Sequence, residues 1–156
     1  MKQLWAPWRM EYIKSKKEES SSCILCESTE KNNDLVIYRG ENAFAMMNLY
    51  PYNNGHVMIL PFHHVSSFDE LSIKTQMEIM NLSTVLMKHM RKEINAQGFN
   101  MGANIGEAGG AGIAEHFHLH IVPRWSGDTN FMPVLGHTKV QVNGLKETCE
   151  LLKKAF

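Results

Sequence analysis

An excess of charge of either sign is missing from this chain: sixteen Lys and Arg stand against sixteen Asp and Glu in 156 residues. A summed field near zero offers no general attraction to nucleic acid or to an anionic membrane, so an anionic ligand has to be held by a local site. Long apolar runs are missing too. The opening Met1-Lys2-Gln3-Leu4-Trp5-Ala6-Pro7-Trp8-Arg9-Met10 lacks the apolar core of an export signal, and nothing approaches the ~20 apolar residues of a spanning helix. Cysteine is scarce. Three residues, Cys23, Cys26 and Cys149, cannot close an even-numbered disulfide framework, and the first two are too close together to staple a fold. A reducing, cytoplasmic setting is the expectation. The length suits one domain that buries roughly two-thirds of its unfolded surface.

Three segments divide the chain. Residues 1–22 read as an N-terminal arm and a polar connector; the arm's Trp5 and Trp8 pack either on the chain's own core or as a lid on a ligand or partner. Residues 23–140 read as the main domain and 141–156 as a terminal helix. Leu35–Tyr38, Ala43–Met47 and His56–Leu60 have strand character and are separated by turn residues, which predicts an antiparallel meander. Between Ser67 and Gln97 the period changes: Ile79, Leu82, Leu86, Met90 and Ile94 fall on one helical face, with Gly98 just beyond the end. Ser67 with Glu70 fits a capping box, and Ser72 fits a later start. Two further strands, Phe99–Ile105 and His116–Val122, and a helix over Val142–Lys154 complete an α+β fold with helices on one side of the sheet. Cys149 falls among Leu145, Leu151 and Leu152 as a small core residue.

The densest chemistry lies in His116-Phe117-His118-Leu119-His120-Ile121-Val122, where strict alternation sends three imidazoles to one strand face and apolar side chains to the other. One strand histidine is ordinarily structural; three at i, i+2 and i+4 are hard to explain by packing. Two readings of the residues stand side by side, a shared metal ion and a nucleophile with its polar support. Gly106-Glu107-Ala108-Gly109-Gly110-Ala111-Gly112 leads straight into the histidines, and such a loop lets backbone amides approach oxyanions. Glycine beside histidine suggests phosphate. Cys23-Ile24-Leu25-Cys26 has metal-ligand spacing but needs two more ligands.

The heptapeptide resembles the His-φ-His-φ-His-φ-φ signature, φ being apolar, of the histidine-triad (HIT) family. Asn48 followed by Gly55-His56-Val57-Met58-Ile59-Leu60-Pro61 resembles the family's first half. Leu4–Arg9, Val122-Pro123-Arg124-Trp125 and Gly127–Leu135 are similar to its diadenosine tetraphosphate phosphorylase-like branch. The resemblance implies that His118 is a nucleophile toward the α-phosphorus of a dinucleoside polyphosphate, forming a nucleotidyl-histidine intermediate. It implies that His120, Asn104 and the loop at Gly110 and Gly112 meet the phosphates, and that Asn48 lies along the ribose. A structural zinc ion on Cys23, Cys26, His64 and His116 is implied as well, with His63 the neighbouring alternative to His64, and so is a homodimer. A departure from the family pattern is the stretch Gly112-Ile113-Ala114-Glu115, where many of its hydrolases carry a Gln or Ser; inorganic phosphate thereby gains on water as the acceptor. Hydrolysis of a nucleoside phosphoramidate and nucleotide binding without turnover are the rival functions.

Overall fold

The structure is a computed structural model and describes residues 23–29, 33–136 and 138–156; the arm and connector of the sequence reading lie outside these residues. Its elements, in order, are α1 (Ile24–Glu27), β1 (Val36–Arg39), β2 (Ala43–Met47), β3 (Val57–Pro61), a 3₁₀ turn (Phe68–Glu70), α2 (Ile73–Glu93), β4 (Gly98–Gly102), β5 (Leu119–Arg124), α3 (Met132–Leu135) and α4 (Leu145–Lys153). The strands form one five-stranded sheet in the order β1-β2-β3-β5-β4, with every neighbouring pair antiparallel.

Side-chain alternation divides that sheet into two faces. Ala43, Ala45, Met47, Val57, Ile59, Phe117, Leu119 and Ile121 are buried against Ile79, Leu82, Leu86 and Met90 of α2 and against Cys149 and Leu152 of α4. Val36, Phe44, Met46, Met58 and Leu60 point the other way, under Leu25 of α1. Both longer helices thus cover one face, and the second face is left for chemistry.

The helix begins later than a capping box at Ser67 predicts. Ser72 is its N-cap, with Oγ accepting from the Thr75 amide at 3.2 Å, while Ser67 donates instead to the Asp69 carboxylate. It also stops before Gly98, because Asn95 takes the left-handed conformation (φ 51°) that Asn tolerates. The strand expected over Phe99–Ile105 is Gly98–Gly102, and that expected over His116–Val122 pairs only from Leu119 to Arg124. The terminal helix opens at Leu145 rather than Val142. In each case pairing or capping partners, which periodicity does not encode, set the end. Among the described residues no helix is long and apolar enough to cross a membrane.

Candidate functional site

β5 lies between β3 and β4, and its register puts His120 opposite Met58 on one side and Gly102 on the other. His116 and His118 precede the paired part of the strand but keep its alternation, since Phe117 between them is buried in the helix-side core. The three imidazoles therefore share a face, as expected, yet they serve two centres.

His118 is almost fully buried, and its Nδ1 lies 2.8 Å from the backbone oxygen of His116. A carbonyl only accepts, so Nδ1 carries a proton, and in the neutral ring the lone pair resides on Nε2. The ring of His120 stands edge-on to it at 4.8 Å. Behind them is a residue that the sequence reading did not place in the site. His56, with no exposed surface, accepts from the Tyr52 amide at Nδ1 (3.0 Å) and stands with Nε2 3.0 Å from His120 Nδ1. The accepting Nδ1 fixes Nε2–H as donor, so His120 accepts at Nδ1 and carries its own proton on Nε2. Burial, and then the neighbouring His120 and His118, push the His56 pKa down to about 3, which keeps this ring neutral. Its signal was present in the Gly-His pair ahead of β3, but only the β3–β5 pairing reveals the partner.

Asn48 stands at the same end, its Oδ1 accepting from the Tyr50 amide (2.9 Å) and its Nδ2 3.4 Å from His56 Nε2. Asn104 and the glycine loop follow β4. The amides of Gly109 and Ala111 donate to Gly106 O and that of Gly110 to Glu107 O, which closes the loop on itself. A Cβ at Gly109 would stand 2.3 Å from Ile105 O, and Gly110 has φ +83°, so neither position accepts another residue without strain. The Gly110 contribution is a turn, with its amide already engaged.

The second centre gathers Cys23, Cys26, His64 and His116, whose ligand atoms all lie within 4.8 Å of one another. His63 is outside this group. His116 Nε2 donates to Pro61 O (3.1 Å), which leaves the Nδ1 lone pair facing Cys23 Sγ at 3.5 Å and Cys26 Sγ at 3.4 Å. His64 Nδ1 is 3.2 Å from Cys26 Sγ. Zinc bonds of 2.3 Å to sulfur and about 2.05 Å to nitrogen give a tetrahedral S···N edge of about 3.6 Å, so this donor set fits such an ion closely.

Alternate histidines on one face of an antiparallel sheet, beside a glycine loop, define the histidine-triad class. The sequence model of the HIT domain matches residues 29–127. The AP-4-A phosphorylase of Mycobacterium tuberculosis is 35% identical over 161 residues, covering 97% of this chain and 83% of its own. An uncharacterised HIT-like protein of Saccharolobus solfataricus is 31% identical over 138 residues, 86% of this chain and 94% of its own. Among solved structures, a zinc-bound histidine-triad family protein from Mycobacterium smegmatis superposes with TM-score 0.70 at 24% identity, covering 88% of this chain and 94% of its own. The Plasmodium falciparum diadenosine triphosphate hydrolase does so with TM-score 0.66 at 20% identity, covering 93% and 91%. The chain belongs to the HIT family.

Proposed function

We propose that the protein is a nucleotide-processing enzyme that cleaves dinucleoside polyphosphates of the diadenosine tetraphosphate type at the α-phosphorus. The observation that carries this reading is the His118 Nδ1–H bond to the His116 carbonyl, which presents a neutral Nε2 lone pair beside the Nε2–H of His120. Nε2 of His118 forms a bond to phosphorus as the bond to the leaving phosphate oxygen breaks, and the charged ring keeps its Nδ1 proton on the carbonyl. An acceptor oxygen then attacks the same phosphorus and displaces the histidine. His120, Asn104 and the loop at Gly112 meet the non-bridging oxygens, with Gly110 shaping the turn of that loop, and Asn48 meets the ribose. The stretch Gly112-Ile113-Ala114-Glu115 stands where many hydrolases of the family carry a Gln or Ser, which favours inorganic phosphate over water as acceptor. The resemblance to the mycobacterial AP-4-A phosphorylase supports the same choice.

Cys23, Cys26, His64 and His116 would hold a structural zinc ion, which with four protein ligands supplies folding energy and no open coordination position. We also propose a homodimer, since β4 forms an outer edge of the sheet and Ile73 and Met77 of α2 are exposed apolar surface. Sedimentation as a 17.8 kDa species would overturn it. Incubating diadenosine tetraphosphate with and without phosphate tests the activity. ADP plus ATP appearing only with phosphate is expected; AMP plus ATP in both arms would assign water as the acceptor, and no cleavage, with no AMP trapped on the protein, would overturn the reading.

A further inference from the structure

The sheet face that carries His118 and His120 continues past them. Even-numbered residues of β5 share that face, so Val122 and Arg124 follow His120 about 7 and 14 Å further along the strand. Asn100 of β4 stands opposite Val122. A pocket of about 280 Å³ opens here, lined by Tyr52, Asn53, Asn100, Val122, Arg124 and Lys139. It adjoins the histidines through Tyr52, whose ring packs 4.7 Å from that of His56 and 5.9 Å from that of His120.

The charges of this pocket do not cancel. Arg124 is committed to Asp128, donating through Nε at 2.6 Å and Nη2 at 3.0 Å, and its Nη1 donates to Asn100 Oδ1 at 2.7 Å. The same carboxylate accepts from Asn53 Nδ2 at 2.8 Å and from the Trp125 amide at 3.2 Å. One cation and one anion thus neutralise each other and build the wall. Lys139 remains. It is half-buried, forms no ion pair among the described residues, and has its pKa lowered because burial, with the like charge of Arg124, outweighs the attraction of Asp128. An ammonium so placed gains from an arriving anion. The Asn100 carbonyl is occupied by Arg124, so Nδ2 is what that side chain has to offer, and an N–H group also suits an anion.

We infer that this pocket binds the distal phosphates of the leaving group, with Lys139 as their recognising cation, and so favours long polyphosphate chains over short leaving groups. The inference rests on the α-phosphorus reading and extends it along the substrate. At about 7 Å or more from His120 along the strand, the pocket is too remote for the phosphorus under attack but lies within reach of the chain beyond it.

Inorganic tripolyphosphate is the direct probe, followed by calorimetry on the full chain. Wild type should bind it, Lys139→Met about tenfold more weakly, and Lys139→Arg nearly as wild type. In turnover, Lys139→Met should raise KM for diadenosine tetraphosphate about tenfold and leave KM for adenosine phosphoramidate, which has no distal phosphates, within twofold. Tripolyphosphate that fails to bind wild type, or binds both proteins equally, would overturn the inference, as would a KM change of the same size for both substrates. Should no AMP be transferred to His118 while tripolyphosphate binding still depends on Lys139, the pocket stands and the α-phosphorus reading falls.

Discussion

At the scale of single residues, two hydrogen bonds to carbonyls do most to assign roles, because each fixes which nitrogen of an imidazole holds the proton. His118→Asn keeps approximate size and polarity while removing the imidazole Nε2 proposed as the nucleophile. Nucleotide affinity should stay within about tenfold and turnover should drop by roughly three orders of magnitude or more; equilibrium binding and single-turnover kinetics measure the two, and near-normal turnover would rule out covalent catalysis here. His56 makes a different prediction. Its pKa falls from 6.5 in the unfolded chain to about 3 in the folded one, so between these values the unfolded state binds more protons. Stability is unaffected by this group above about pH 6.5 and is lost as pH falls through the window toward 3. In His56→Asn the slope of stability against pH over that window should be shallower by about one proton, measured by denaturant unfolding at each pH; an unchanged slope would mean that the ring is not held neutral.

At the scale of elements, α2 does more than cover the sheet. Glu78 accepts from the Glu41 amide (2.7 Å), the Asn42 amide (2.9 Å) and Asn42 Nδ2 (2.6 Å), clasping the β1–β2 turn. Burial works to raise its pKa, but these donors hold it below the usual value. Glu78→Ala should cost about 1–2 kcal/mol with an unchanged denaturant dependence, read as a shift in the unfolding midpoint. The core face of α2 was legible in the sequence because burial follows its period: Ile79, Leu82, Leu86 and Met90 are all buried. The histidine strand was legible for the same reason, with Phe117, Leu119 and Ile121 in the core. What could not be read is pairing between distant strands. The antiparallel contact of β3 with β5 crosses about sixty residues of sequence, and without it nothing in a single Gly-His dipeptide says that His56 supports His120. Helix ends were equally hidden, since Ser67 and Ser72 both suit a cap and only the Thr75 amide chooses between them.

At the scale of the whole molecule, the two centres are joined through one residue. His116 offers Nδ1 to the cysteine pair while its backbone oxygen accepts the Nδ1 proton of His118. Loss of metal should therefore be felt in folding and in activity together. Removing the proposed zinc ion with a chelator should lower the melting temperature by roughly 10 °C or more. His116→Cys should retain metal and much of the activity as a third sulfur ligand, whereas His116→Ala should lose both. Wild-type zinc content in the alanine variant would remove His116 from the ligand set. The remaining cysteine gives the chain an internal clock for these events. Cys149 has no exposed surface, and its Sγ sits 3.3 Å from Asp34 O beneath α4, whereas Cys23 and Cys26 are partly exposed. A thiol-reactive dye should count two sulfurs when the ion is stripped and the third only when α4 lifts from β1, so demetallation and global unfolding leave separate steps in a single colour change.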